Sequence, residues 1–246
     1  MAIHAVDICC PRRNGCKSLR HTYTPLVEMC FSAEVSLVTF LIGTIFSAVI
    51  FQLGTPLDKI IGLFGIYISL MQGIEFLLWS HQTCDQYHKN VSVLGALLNS
   101  AQPIVLGILA LIYSTRVENK GYVLLLVAVL CLYGVYSYIG KTAFILSPEL
   151  HCTQPRPNDP HLHWNWAQNY PWSSDWLVYI SSIVLISILG MPTLSQGIGL
   201  GAYFLISMII TGLVYPRQTV GSLWCVFGAL TPPLYYASRV LKIIRP

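Results

Sequence analysis

Seven apolar runs, each near the roughly 20 residues that cross a bilayer as a helix, constrain this chain more than any other feature. They lie at about 31–53, 58–80, 91–114, 121–146, 174–190, 194–214 and 217–241. Composition agrees with them. The chain is 54% hydrophobic and 10% charged, with a mean hydropathy of +0.62. A soluble domain carries about 25% charged residues, so a lipid bilayer must solvate most of this surface. The predicted fold class is therefore all-α: an integral membrane bundle of about seven transmembrane helices in one domain, 29–246. A net charge of +4, with no basic run beside aromatics, gives no sign of a nucleic-acid partner.

The breaks between runs are legible. Gly54–Thr55–Pro56 is a tight turn, and Thr115 to Lys120 is a polar hairpin. Gly190–Met191–Pro192 and Tyr215–Pro216–Arg217 end the fifth and sixth runs. Pro232–Pro233 inside the last run predicts a kink or break, because proline removes a helix donor. Small residues recur at helical spacing: Ser32, Ser36, Thr39, Gly43 and Ser47 in the first run, and Gly62, Gly65 and Ser69 in the second. Such stripes let helix backbones approach closely in lipid, and helix packing accounts for them.

Two segments differ from the rest. Residues 1–28 are polar, carry Arg12, Arg13, Lys17 and Arg20, and hold no apolar run of helix length. They read as a disordered or non-native amino-terminal extension ahead of Met29. The connection 147–173 is rich in Pro, His and Trp, and a loop this long in a compact protein is usually functional or disordered. It is expected to be ordered and folded over one end of the bundle. Trp164, Trp166, Tyr170, Trp172 and Trp176 suggest that it lies on the membrane interface, which favours such rings.

Seven spans put the two ends of 29–246 on opposite sides. The side of Met29 also receives the 81–90 and 147–173 loops and carries Lys89, Arg156 and Arg217. The other side carries Lys59, Arg116, Lys120, Arg239, Lys242 and Arg245. Positive charge gathers on cytoplasmic loops, so the carboxyl end is expected to be cytoplasmic. Residues 1–28, if native, cancel that signal.

Within the bundle, Gln72 and Glu75 share a face of the second run, and Glu75 lies about 8 Å from its helix end at 1.5 Å per residue. Asn99 and Gln102 in the third run, Lys141 with Tyr133 and Ser137 in the fourth, and Asp175 with Tyr179 at the start of the fifth fall in the same half. All the costly polar groups of the bundle are thus expected at one end. An acid inside hydrocarbon is expensive and marks a functional site by default. Three readings fit: a structural Glu75–Lys141 ion pair, a water-filled vestibule for an ion or small solute, and a general acid or base or a metal ligand.

The loops at that end supply further donors. His81, Cys84, Asp85 and His88 read H-x2-C-D-x2-H, and His151, His161 and His163 lie in the long loop. Imidazole, thiolate and carboxylate are zinc ligands, which makes zinc the cofactor to test, although the spacing matches no standard zinc pattern. Cys84 and Cys152, alone among the 8 cysteines in lying in these two loops, form the candidate disulfide, which requires an oxidising compartment.

Other chemistries leave no trace. The chain lacks a G-x4-GK[ST] phosphate loop, a GxSxG elbow and an HExxH helix. Thr231–Pro232–Pro233–Leu234–Tyr235 is not the Asn-Pro-x-x-Tyr of G-protein-coupled receptors, and no lysine lies mid-way along the seventh run for retinal. The string Met29–Cys30–Phe31–Ser32–Ala33, followed by Ser36, resembles the start of an uncharacterised family of multi-pass membrane proteins beginning MCFSA. The Gln72, Glu75 and Trp79 pattern resembles that family's second span. The resemblance is clearest over about 29–110. It implies Met29 as the start and a joint role for Cys30, Gln72 and Glu75, but no activity. The expected function is transport or conduction of an ion or small polar solute. The alternatives are an intramembrane enzyme with a metal or Cys/Glu/His site, and a sensor or structural membrane protein.

Overall fold

A computed structural model describes residues 32–147, 152–156, 159–166, 172–214 and 220–241. The extension 1–28 lies outside them. The described residues form seven α-helices: α1 (Ala33–Leu53), α2 (Pro56–Ser80), α3 (Gln86–Tyr113), α4 (Lys120–Ile145), α5 (Trp172–Gly190), α6 (Leu194–Val214) and α7 (Val220–Val240). A two-stranded antiparallel hairpin, β1 (Gln154–Arg156) and β2 (Asp159–His163), occupies the α4–α5 connection. The fold class is the expected all-α bundle. Five of the helices are long and apolar enough to cross a membrane, which fits an integral membrane protein.

Each helix start has a local cause. Ser32 caps α1 by accepting the Val35 amide. At α2, Thr55 and Asp58 form a reciprocal capping box, with Pro56 at the first helical position. This arrangement satisfies amides that have no intrahelical partner. Asp85 caps α3. Gly54, at φ 92°, ends α1 in the left-handed region that other residues resist, and so permits the tight α1–α2 turn.

The second helix is the axis of the bundle. Its apolar window is 61% buried, against 28% for α1 and α4, and it packs on α1, α3 and α7. The stripe expected on α1 is its buried face, with Ser36, Thr39, Gly43 and Ser47 inward. A Cβ on Gly62 would lie 2.8 Å from the backbone of Ser47 and Phe51, and one on Gly65 would meet Ser47 and lie 2.6 Å from the Pro232 ring. The absence of side chains at these points brings α1, α2 and α7 together. The last helix runs through Pro232 and Pro233 from Val220 to Val240 rather than breaking. The prolines leave the Gly228 and Ala229 carbonyls without their helix donors, and just before them Tyr203 and Thr231 both donate to the Phe227 carbonyl.

The hairpin end and the opposite end are closed differently. At the opposite end, Arg116 and Asn119 donate to the Ile188 and Leu189 carbonyls (2.9 and 3.1 Å), capping the carboxyl end of α5 from the α3–α4 turn. At the hairpin end, Trp164 and Trp166 enter the bundle. They are only 3% and 8% exposed and pack with Met71, Ile74, Ala96 and Cys225. These rings are therefore core residues, not interfacial ones. Gly95 makes room, since a Cβ there would lie 2.9 Å from Trp164. Tyr170 lies outside the described residues, as does the side chain of Trp172.

Candidate functional site

The hairpin is fastened to the α2–α3 connection. Cys84 and Cys152 form a disulfide with a Cα–Cα distance of 5.8 Å. His88 Nε2 lies 2.9 Å from the Thr153 carbonyl and His88 Nδ1 lies 2.6 Å from the His81 carbonyl. Ser92 donates to Thr153 Oγ1 (3.0 Å), Lys89 to the Ser147 carbonyl (2.9 Å), Asn165 to the Cys152 carbonyl (2.6 Å), and Gln154 to the Gln82 carbonyl. Asp85 holds the start of α3: its Oδ1 accepts the His88 amide (2.9 Å) and its Oδ2 meets His81 Nε2 (2.8 Å). Those two bonds, the backbone one first, keep its carboxyl below the usual range.

This arrangement decides between two fates for Cys84. A disulfide sulfur is not a thiolate, so Cys84 is not a zinc ligand here. Both ring nitrogens of His88 face carbonyl oxygens, which leaves no lone pair aimed at a metal. His81 is spent on an exposed pair with Asp85. His161 and His163 are buried, at 6% and 2% exposure, on the hairpin. His151 lies outside the described residues. Among the described residues, no three His, Cys, Asp or Glu side chains gather as a metal set. The sequence spacing brought these types near one another in the chain, but backbone hydrogen bonding and the disulfide engaged several of them first.

Beneath the hairpin lie the intramembrane polar groups. Gln72, Glu75, Gln102 and Lys141 are 1%, 2%, 0% and 3% exposed. Gln72 Nε2 donates to Glu75 Oε2 at 3.0 Å, as their i, i+3 spacing allows. Lys141 Nζ donates to Ser100 Oγ at 3.2 Å and lies 4.7 Å from the Trp166 ring centroid. Tyr179 donates to Gln102 Oε1, and its ring meets Trp224 edge-on at 5.3 Å. Cys225, beside Trp224, lies within electrostatic reach of both Glu75 and Tyr179. Asn99 is half-buried. The side chain of Asp175 lies outside the described residues. Sequence reasoning reached Gln72, Glu75, Gln102 and Lys141, but not the indoles of Trp166 and Trp224. They were legible only as aromatics, without a direction.

One expectation is corrected outright. Not all costly groups share one end. Asp58, fully buried near the other end, accepts from Tyr235 (2.6 Å), Arg239 (3.1 Å) and Thr55. The Thr55-x-x-Asp58 capping box beside Pro56 was the signal that pointed there.

The fold and site together define an α-helical bundle of apolar helices with a charged, aromatic-lined cluster inside it, capped by a disulfide-fastened hairpin. No family model, no curated protein and no solved structure matches the chain.

Proposed function

We propose that this chain is a seven-span membrane protein that binds and passes an ion or small polar solute through the cluster beneath the hairpin. The observation that carries this reading is Glu75, a carboxylate 2% exposed inside apolar helices and aligned with Gln72. Intramembrane acids of this kind line substrate or ion pathways. The Cys84–Cys152 disulfide supports an oxidising environment for the hairpin end. That agrees with the six cations that the sequence assigns to the opposite side, and together they favour a cytoplasmic carboxyl terminus. The Met29–Ala33 string and the Gln72, Glu75 and Trp79 pattern support membership of the uncharacterised MCFSA family.

A structural role for Glu75 is the competing reading, and the Asp58–Arg239 contact favours it, because this bundle already uses one buried carboxylate as a brace. Reconstitution in liposomes separates the two. Under the solute reading, Glu75→Gln abolishes flux of the transported species and leaves the melting temperature within a few degrees of the parent. Under the structural reading, Glu75→Gln destabilises the protein, and Lys141→Met in the same chain restores much of the loss in a double-mutant cycle. The second outcome would sink the proposal.

A further inference from the structure

His88 is held in a way that a neutral imidazole does not allow. Its side chain is fully buried, at 0% exposure. Nδ1 lies 2.6 Å from the His81 carbonyl and Nε2 lies 2.9 Å from the Thr153 carbonyl. Both neighbours are acceptors only. A neutral ring carries one N–H and one lone pair, whereas an imidazolium carries two N–H groups. In the neutral ring, one nitrogen would turn its lone pair on a carbonyl oxygen within hydrogen-bond distance. Only the charged ring donates at both ends.

The two bonds join different parts of the molecule. His81 caps the end of α2, and Thr153 leads into the hairpin beside the disulfide of Cys152. Ser92, one turn after His88 on α3, donates to Thr153 Oγ1, so one face of the helix grips Thr153 at two points. The charged groups around the ring pull both ways. Asp85 Oδ1 accepts the His88 amide, and that bond is the first cause that keeps its carboxyl below the usual range, so an anion lies one turn away. Lys89 is next in sequence, but its ammonium turns to the Ser147 carbonyl. The His81 ring turns to Asp85 Oδ2, and His161 and His163 are the buried titratable groups on the described part of the hairpin. Burial and the positive start of α3 oppose a charge on His88. The two carbonyls and Asp85 favour it.

We propose that His88 is a proton-dependent latch: as an imidazolium it clasps the hairpin to the end of α2, and on losing its proton it releases one of the two carbonyls. The sign follows from linkage. The latched form holds one proton more than the released form, so acid favours the latch and rising pH favours release, within the window of about pH 5 to 8 in which imidazole titrates. Release is local. The disulfide and the buried Trp164 and Trp166 still hold the hairpin to the bundle, so 152–156 loosens while the fold persists. The latch stands whether or not a solute passes beneath it.

The test uses the full chain in lipid nanodiscs, with two readouts. Nitrogen NMR of the His88 ring, assigned through the backbone, reads its protonation. Both ring nitrogens are expected to carry a proton at about pH 5, and one should lose it towards about pH 8. Amide hydrogen exchange across 152–156, corrected for the intrinsic rate at each pH, reads the clasp. Protection is expected to fall roughly tenfold over the same window, the low end of the worth of a hydrogen bond from a charged donor. His88→Gln keeps a donor without a titrating proton and should abolish this pH dependence. His81→Gln, His161→Gln and His163→Gln should each leave it in place. A His88 ring that is neutral at about pH 5 overturns the inference. So does protection that does not change with pH, or the same pH dependence in His88→Gln. If His88→Gln does not fold, the ring spectrum and the exchange of the parent chain decide between the same outcomes.

Discussion

Asp58 illustrates how one residue serves both local and long-range structure. Its carboxylate closes the capping box with Thr55 and, 177 and 181 residues along the chain, takes Tyr235 and Arg239. The carboxylate is fully buried, while Arg239 keeps some exposure, 15%. Removing one partner of a buried pair typically costs about 3–5 kcal/mol because the other charge is left bare, and partial solvent access to Arg239 puts this case at the low end. Asp58→Asn is therefore expected to destabilise by about 3 kcal/mol, and Arg239→Met in the same chain to recover much of it. Thermal unfolding of the four variants in one detergent measures the coupling. Additive losses would show that the two side chains do not cooperate.

At the scale of helices, α1, α2 and α7 are held by what is missing from them. Gly62 has backbone of Ser47 and Phe51 at 2.8 Å from where a Cβ would stand, whereas a Cβ on Gly121 meets nothing within 4 Å. Backbone cannot swing aside as a flexible side chain can, so Gly62→Ala should cost about 1–3 kcal/mol through overpacking. Gly121→Ala should instead stabilise slightly, by at most about 1 kcal/mol, through reduced backbone entropy of the unfolded chain. The opposite signs of two chemically identical changes, read by melting temperature, test the close α1–α2 contact. Equal effects would refute it.

For the whole molecule, the hairpin and its disulfide define a closed end. A cross-link spanning 68 residues is worth about 4 kcal/mol in the chain-entropy account for a free chain. Here α3 and α4 already return the chain to the same end, so less of that should appear globally. Cys84→Ser with Cys152→Ser is expected to leave the helical content unchanged and to open 152–166 to proteolysis. The cut should come from the side opposite 115–120, with both positions mapped by membrane-impermeant labelling of introduced cysteines. Labelling of the hairpin and of 115–120 from the same side would overturn the proposed seven-span topology.

The sequence by itself determined the number and placement of the helices, because a bilayer demands long apolar runs and these are read one residue at a time. It also determined the small stripe of α1, which reappears as the buried face, and the distance of Gln72, Glu75 and Lys141 from their helix ends, since this follows from residue count; Gln102 instead lies past the middle of α3, which begins earlier than its apolar run, at Gln86. Tertiary structure alone decided which partners these groups meet. Lys141 reaches Ser100 and Trp166, and Asp58 reaches Arg239 across the length of the chain. It alone turned Trp164 and Trp166 inward, withdrew Cys84 and His88 from metal-ligand duty, and carried α7 through two prolines. The physical reason is one of range. Hydropathy and helical periodicity are properties of neighbours in sequence, whereas hydrogen bonds, disulfides and ring contacts join residues that only the packed bundle brings within a few ångströms.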